Sequence, residues 1–461
     1  MSALSRTLTD IAVVVVSLGL MIFIHELGHF LAAKWSGVRV LTFSFGFGKR
    51  LFGVKNGQFS FGRPPVIVSA GEVPDDRTDY RVSLLPLGGY VKMAGEDPSE
   101  GHTGDPGEFR SHPRWQRFFI VLMGPAMNVL LAIFLLTVLD RYHYEVPLFE
   151  TQPARIGEIA ANSAAAQAGF MPGDLLTRVG NLRNPTWEDV ELTVAMSPGT
   201  LLPVEMVRDG QKKESSITPR PEGAERLGVA GWTPCVTPQI DVVEDGSPAA
   251  KAGVQRGDRI TAFDGKPIPC WQDLPPALQA NQGGPAEITV ERAGKSLELR
   301  LTQVMGEING HSQWRIGVGL REVVVRQLPW PKAVKSSIDE NIRNCELSFE
   351  AVGKILTRQM SPRSLSGPIG IAQMSGEAYR SGISDLVRVS ADISLSLGIF
   401  NLLPIPILDG GVFFMLLIES IIRRDLSLAV KERVVQVGLA LLLLLTVFVM
   451  YNDLVKTFKP Y

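Results

Sequence analysis

The 461-residue chain is 45% hydrophobic, and its 46 Lys and Arg residues nearly balance its 47 Asp and Glu residues, for a formal net charge of −1. This balance gives no indication of nucleic-acid binding. Because 20% of the residues are charged, the apolar residues must be concentrated in blocks. The three cysteines, Cys235, Cys270 and Cys345, form no CxxC pair, which argues against a cysteine metal cluster. A Cys235–Cys270 disulfide is left open, if that region faces an oxidising compartment.

Four apolar blocks are long enough to cross a bilayer, which takes about 20 residues. The first lacks a small-residue cleavage site, so it is predicted to be retained rather than removed as a signal peptide. Lys and Arg cluster after the first block and between the last two, which predicts that both loops are cytoplasmic and that the segment from about Arg141 to Asp392 lies outside. The blocks are roughly Ile11 to Ala33, Phe118 to Leu139, Ile393 to Ile418, and Leu428 to Tyr451.

The first block ends in MIFIHELGHFLAA, which places two histidines and a glutamate in apolar surroundings. In a helix His25 and His29 share one face, with Glu26 beside them, as in the HExxH signature of zinc metalloproteases. Ionisable groups at membrane depth are costly, so they indicate a function. The competing interpretation is a pair of interfacial histidines at the end of the helix.

A catalytic zinc ion takes three protein ligands, so a third must come from elsewhere. Asp409 is the other strongly polar group within an apolar block, in NLLPIPILDGG, Asn401 to Gly411. The prolines and glycines there predict a helix break, which membranes tolerate where the backbone lines a protein-buried or wet cavity. The alternative for Asp409 is a helix-capping acid in a re-entrant turn.

The outer segment contains an internal repeat. The stretch AAQAGFMPGDLLTRVGN, from Ala165, matches AAKAGVQRGDRITAFDG, from Ala249, and Trp187 and Trp271 keep the same offset of 84 residues. A constant offset of this length indicates a duplicated domain rather than a solenoid. The motif resembles bacterial PDZ domains, which bind extended peptides at a sheet edge. Two β-rich spacers without ligands are the alternative.

The stretch YRVSLLPLGGYVKM, Tyr80 to Met93, alternates apolar and polar residues on both sides of Pro-Gly-Gly. This pattern predicts two short strands around a turn. The functional interpretation, which the family resemblance described next supports, is a membrane-dipping hairpin whose open edge pairs with an unwound substrate. The alternative is a small hairpin packed on the core of its own loop.

Taken together, these motifs resemble the site-2 protease family over nearly the whole chain. The matching stretches, in order, are HELGHF, FSFGFGK (Phe43 to Lys49), LLPLGGYVKM (Leu84 to Met93), GPAMN (Gly124 to Asn128), both repeats, SGPIGIA (Ser366 to Ala372) and NLLPIPILDGG. The resemblance implies a polytopic α-helical membrane protein with about four transmembrane helices, a membrane-dipping β-hairpin and two inserted PDZ-like α+β domains. Val412 stands where the family often has a histidine.

The resemblance also implies the roles of particular residues. Glu26 is expected to be the catalytic base, and Zn²⁺ the cofactor, bound by His25, His29 and Asp409. The residues expected to bind substrate are Asn401, Gly88, Gly89, Tyr90, Val91 and Asn128.

The predicted domains follow the motifs. They are residues 1–140 with the first two transmembrane helices, HExxH and the cytoplasmic loop; 141–226, PDZ domain 1; 227–321, PDZ domain 2; 322–391, an amphipathic juxtamembrane linker; and 392–461, the last two transmembrane helices with the LDG motif.

The expected function is that of an intramembrane zinc endopeptidase in the bacterial inner membrane, with outer PDZ domains and a site toward the cytoplasm. Its expected substrates are single-span proteins, such as an anti-sigma factor already cut on the outer side, or signal-peptide remnants. The expected partners are these proteins and the lipid bilayer, without nucleic acid. The alternative is a catalytically inactive PDZ membrane scaffold with a relic metal site.

Overall fold

The computed structural model describes residues 3–63, 77–96, 103–142, 144–223, 225–308, 311–320 and 323–458. The chain divides into two compact units. We call them the helical unit, which comprises Met1–His143, Gln327–Val352 and Leu365–Tyr461, and the repeat unit, which comprises Tyr144–Arg326 and Gly353–Ser364.

The helices, in chain order, are α1 (Ala3–Ser36), α2 (Arg114–Tyr142), α3 (Ala164–Gln167), α4 (Trp187–Ala195), α5 (Pro248–Ala252), α6 (Leu274–Asn281), α7 (Trp330–Leu356), α8 (Pro368–Ser381), α9 (Ile383–Asn401), α10 (Asp409–Ile422) and α11 (Leu428–Phe458). Within the described residues, three are long and apolar enough to cross a membrane: Thr9–Ser36 of α1, Arg114–Tyr142 of α2 and Leu428–Lys456 of α11.

The third predicted span, Ile393 to Ile418, is not a continuous helix. It comprises the second half of α9 and most of α10, separated by the irregular residues 402–408. Pro404 and Pro406 lie in this break, because proline removes a backbone donor and clashes with the preceding turn of a helix. The break makes Asp409 the first residue of a new helix.

The strands, in chain order, are β1 (Val40–Lys55), β2 (Gln58–Phe61), β3 (Asp79–Met93), β4 (Tyr144–Pro147), β5 (Ile156–Ile159), β6 (Leu175–Val179), β7 (Leu182–Arg183), β8 (Leu202–Arg208), β9 (Gln211–Ile217), β10 (Arg220–Glu222), β11 (Leu227–Val229), β12 (Trp232–Pro234), β13 (Ile240–Val243), β14 (Arg259–Phe263), β15 (Lys266–Pro267), β16 (Pro285–Arg292), β17 (Lys295–Thr302), β18 (Val304–Ile308), β19 (His311–Arg315), β20 (Val318–Leu320) and β21 (Val323–Arg326).

The predicted hairpin at Tyr80 to Met93 is wrong in its pairing. Its two halves do not pair with each other, because both pair with β1 instead: Phe43 lies opposite Val91 on one side and opposite Tyr80 on the other. The segment Gly89–Met93 pairs only with Val40–Phe45 among the described residues, so its other side is an open edge. We call this segment the edge strand.

A small apolar core holds the edge strand against the helices. Ala33 of α1 and Val40 of β1 are fully buried, and they pack in one cluster with Met93 of the edge strand and with Ile120 of α2. Leu416 of α10 joins the same cluster. The side chains of four elements therefore fix the edge strand beside the ends of α1 and α10.

The repeat unit contains two copies of one fold. The sheets β7-β6-β8-β9 and β15-β14-β16-β17 have the same strand order, and each copy has its own buried core. Strand β11 pairs with β10, and β12 pairs with β5. The predicted boundary between residues 226 and 227 therefore falls inside the first copy, and the one between 321 and 322 lies outside the described residues.

Each copy buries one carboxylate against one arginine. Arg208 donates to both oxygens of Asp174 at 2.7 Å, and Arg292 donates to those of Asp258 at 2.7 and 2.8 Å. Burial alone would raise the pKa of Asp258, but the Arg292 guanidinium and the Gln255 amide lower it below its usual range. This pair stabilises the fold at neutral pH, and its contribution is lost as the pH falls through the lowered pKa.

A disulfide joins Cys235 and Cys270 in the repeat unit. The bond closes a loop of 35 residues in sequence separation, which contains the first strands and the first helix of the second copy. Both cysteines are buried, whereas the third, Cys345, is free.

We predict that replacing Cys235 and Cys270 together by serine lowers the free energy of unfolding of the second copy by about 2–4 kcal/mol, because the closed loop restricts the unfolded chain. Urea unfolding of the full-length protein in detergent, followed by limited proteolysis, measures this. Cys345→Ser is the matched control. Equal stability of the double variant and the control would contradict the prediction.

Candidate active site

Three predicted metal ligands converge in the helical unit. His25 and His29 lie one turn apart on α1, and their Nε2 atoms are 3.2 Å apart. Asp409 Oδ2 lies 2.9 Å from His25 Nε2, and Oδ1 lies 3.3 Å from His29 Nε2. Both histidines are buried, with 6% and 8% of their surface exposed.

This donor set fits a zinc ion. Ligand atoms at about 2.0–2.1 Å from a tetrahedral Zn²⁺ are about 3.3 Å from one another, close to the separations found here. Two imidazoles and one carboxylate are a common catalytic set, which leaves a fourth position for water. Without a cation, three converging acceptors in an apolar interior would be unfavourable.

The outer ring nitrogens of both histidines have partners. His29 Nδ1 donates to the Ile120 carbonyl at 2.8 Å, which leaves the Nε2 lone pair free for a metal. His25 Nδ1 lies 3.2 Å from the Asn128 side-chain nitrogen, while the buried Asn128 Oδ1 atom has no partner among the described residues. The opposite amide orientation satisfies both groups, because Oδ1 then accepts from Nδ1–H. His25 is thereby also set to bind a metal through Nε2.

The predicted role of Asn128 in substrate binding does not fit this position. Asn128 is 1% exposed and lies behind His25, and its backbone carbonyl accepts from the Ser394 hydroxyl. A side chain enclosed in this way is not accessible to a substrate. Asn128 instead contacts the outer nitrogen of His25, which sequence reasoning missed because the contact joins residues 103 apart.

Glycines allow the helices to approach the ligands. A β-carbon at Gly124 of α2 would overlap His29 Nε2 and lie 2.8 Å from His25 Nε2. One at Gly28 of α1 would overlap the Met123 carbonyl oxygen. At the start of α10, a β-carbon at Gly410 would overlap the Leu403 carbonyl oxygen, so the chain folds back tightly beside Asp409.

Glu26 connects the metal site to the edge strand. Its Oε2 atom accepts a hydrogen bond from the Val91 amide at 3.1 Å. The next outward amide of the edge strand, Met93 N–H, donates to Glu96 Oε2 at 3.2 Å. Glu26, which is the predicted base, and Glu96 therefore accept hydrogen bonds from the outward amides of Val91 and Met93 on the open edge.

A cavity of about 390 Å³ opens beside these groups. Among the predicted site residues, Glu26, His29, Tyr90, Val91 and Asp409 line it. The other lining residues are Met93 of β3 and residues of the loop before α2 and of α2, α10 and α11. They include the charged residues Glu96, Arg110, Arg117, Glu419 and Lys431, whose position in the cavity sequence reasoning missed.

Three further predicted substrate contacts, Gly88, Gly89 and Asn401, do not line the cavity in the described part of the chain. Gly88 and Gly89 precede the lining residues of β3, and Gly89 needs its small size because a β-carbon there would be 2.5 Å from the Ser44 carbonyl oxygen. Asn401 is half-buried at the last position of α9, directly before the break that leads to Asp409.

We predict that Asn128→Leu lowers the zinc affinity about 10–100-fold, because His25 loses the partner that orients its ring. Competition with a chelator measures this affinity. A variant with unchanged zinc affinity but weaker peptide binding would instead support a substrate contact.

The chain is similar to known proteins along most of its length. The model of Peptidase family M50 matches residues 13–62 and 50–445. The regulator of sigma-E protease RseP of Escherichia coli (strain K12) is 32% identical over 469 residues, which are 97% of this chain and 98% of the relative. A putative zinc metalloprotease of Vibrio cholerae is 29% identical, with 96% and 97% covered.

Among solved structures, the PDZ domain of the SdrC-like protein from Listeria monocytogenes is 22% identical and covers 19% of this chain and 90% of that chain, with a TM-score of 0.17. The family model and the relatives carry the assignment. The chain belongs to peptidase family M50, and it is a zinc metalloprotease of the site-2 type.

Proposed function

We propose that this protein is an intramembrane endopeptidase that cleaves single-span membrane proteins within or near the membrane, with His25, His29 and Asp409 as zinc ligands. The observation that carries this proposal is the convergence of these ligands from two apolar segments, next to a cavity that also contains Glu26. A purely structural zinc site needs neither a base nor a cavity.

Bound zinc would supply Lewis acidity and a water of lowered pKa. Glu26 accepts the proton of the attacking water and passes it to the leaving amine. The Val91 amide holds the Glu26 carboxylate toward the edge strand. Asn128 and the Ile120 carbonyl orient the two imidazoles.

The substrate would be held as an extended strand, because a helix hides its peptide bonds. The edge strand offers outward donors at Val91 and Met93, which a substrate backbone would take over from Glu26 and Glu96. Gly88, Gly89 and Tyr90 would shape this edge, and Asn401 would hold the opposite side of the substrate.

The repeat unit is proposed to be a tandem pair of PDZ domains on the outer side of a bacterial inner membrane, with the active site toward the cytoplasm. The Cys235–Cys270 disulfide supports this orientation, because disulfides form in oxidising compartments. The clusters of Lys and Arg in the loops before α2 and between α10 and α11 agree with it.

The similarity to regulators of sigma-E protease suggests the substrate class. By analogy, the substrate would be an anti-sigma-factor-like membrane protein that has already been cut on the outer side. Incubating the purified protein with candidate single-span peptides, with and without a zinc chelator, and mapping the cut by mass spectrometry tests this. No cleavage of any peptide would favour the alternative of an inactive scaffold, whereas cleavage that persists with the chelator would contradict the zinc mechanism.

We predict that Glu26→Gln keeps its zinc but lowers turnover about 10²–10⁴-fold, because the ligands remain while the base is lost. Asp409→Ala is expected to lose most of its zinc as well as its activity. Metal content measured beside cleavage separates the two effects. Full activity of Glu26→Gln would refute the mechanism.

A second pair of variants tests the edge strand. Proline at Val91 removes an outward donor that also holds Glu26, so turnover should fall about tenfold or more. Proline at Met93 removes the next donor without touching Glu26, and it should also lower turnover if the substrate pairs there. Val91→Ile is the matched control, and zinc content should be unchanged in all three. If only Val91→Pro is impaired, the effect comes from Glu26 rather than from strand pairing.

A further inference from the structure

Arg117 is a cation in the active-site cavity that forms no salt bridge with the described residues. It lies on α2, three residues before Ile120, whose carbonyl orients His29. Only 8% of its surface is exposed, and its buried Nε atom has no hydrogen-bond partner. Among the described residues, no carboxylate forms an ion pair with its guanidinium. A buried charge without an ion-pair partner destabilises the folded protein, so such a residue usually has a function.

The acids around Arg117 are engaged with other groups. Glu419 is bound by Lys431 at 2.7 Å and by the Leu426 amide at 2.9 Å. Asp425 is bound by Arg114 at 3.0 Å. Glu96 accepts from the edge strand. Asp425 and Glu419 attract the Arg117 guanidinium through space, but neither forms an ion pair with it within the described residues, and Arg117 lines the cavity.

The position of Arg117 suits a contact near the scissile bond. At a rise of 1.5 Å per residue, it lies about 4.5 Å along α2 from Ile120, which is beside the metal ligands. Arg110, from the loop before α2, lines the same cavity and is half-buried. An extended substrate advances about 3.3 Å per residue, so a side chain within a few residues of the cut would be in reach.

We propose that Arg117, assisted by Arg110, forms a carboxylate subsite of this cavity, which binds an Asp or Glu side chain of the substrate strand. The inference rests on the proposed endopeptidase function and adds a specificity to it. A guanidinium is suited to this task because it binds a carboxylate through two parallel hydrogen bonds. In a cavity of low dielectric constant such a contact is stronger than at the surface.

Equilibrium binding to the full-length, zinc-loaded Glu26→Gln protein tests the subsite without turnover. The probes are labelled extended peptides with amidated ends, in which one Glu moves through each position in turn and Gln is the reference. At one or two positions Glu should bind about tenfold tighter than Gln. A Gln peptide with a free carboxyl end tests whether the chain terminus supplies the carboxylate instead.

Variants identify the responsible cation. Arg117→Gln should abolish the preference for Glu, and Arg117→Glu should convert it into a preference for Lys. Arg114→Lys is the matched control, since Arg114 lies one turn away and lysine keeps a cation beside Asp425, and it should keep the preference. A preference that survives in Arg117→Gln, or that comes only from the free carboxyl end, overturns the proposal.

The scan with Arg117 intact is decisive even if the Arg117 variants fold poorly. No Glu preference at any position overturns the subsite. Cleavage of a neutral peptide by the wild-type protein is measured in parallel, so that the carboxylate subsite and the endopeptidase function are tested separately. Cleavage without Glu preference contradicts only the subsite, whereas Glu preference without cleavage of any peptide supports the subsite and contradicts the proposed function.

Discussion

The convergence of two imidazoles and one carboxylate in an apolar helix bundle is the constraint on which the active site depends. These groups are unfavourable there unless they share a cation, so the surrounding chain must hold their ligand atoms at metal-binding separations. Gly28 and Gly124 let α1 and α2 approach closely, which positions His25 and His29. The helix break before Asp409 positions the third ligand.

The same geometry links the chemistry to the sheet. Edge strands carry unpaired amides that need partners, and here Glu26 and Glu96 occupy the two outward donors. Glu26 thus belongs to the metal site and to the edge strand at once. The apolar cluster that contains Val40, Ile120 and Leu416 therefore holds the base, the edge strand and the cavity next to one another.

In the repeat unit, by contrast, each copy is stabilised by contacts within that copy. Both copies have an apolar core, a short helix capped by serine, at Ser163 and Ser247, and a buried Asp–Arg pair. The disulfide adds a covalent link between Cys235, which follows β12 of the first copy, and Cys270 of the second copy. Such features stabilise each copy independently of the metal site.

The sequence by itself determined the elements with local signatures: HExxH on a helix, the break around Pro404 and Pro406, and the duplication with its offset of 84 residues. It also pointed to Asp409, because a lone acid in an apolar block stands out. Only the tertiary structure decided that the halves of β3 flank β1, that Asn128 contacts His25, and that Arg117 enters the cavity. The physical reason is the separation in sequence of the residues in contact. Spacing along a helix determines which residues one turn apart are neighbours, whereas strand pairing and contacts across about 100 residues depend on how the whole chain packs.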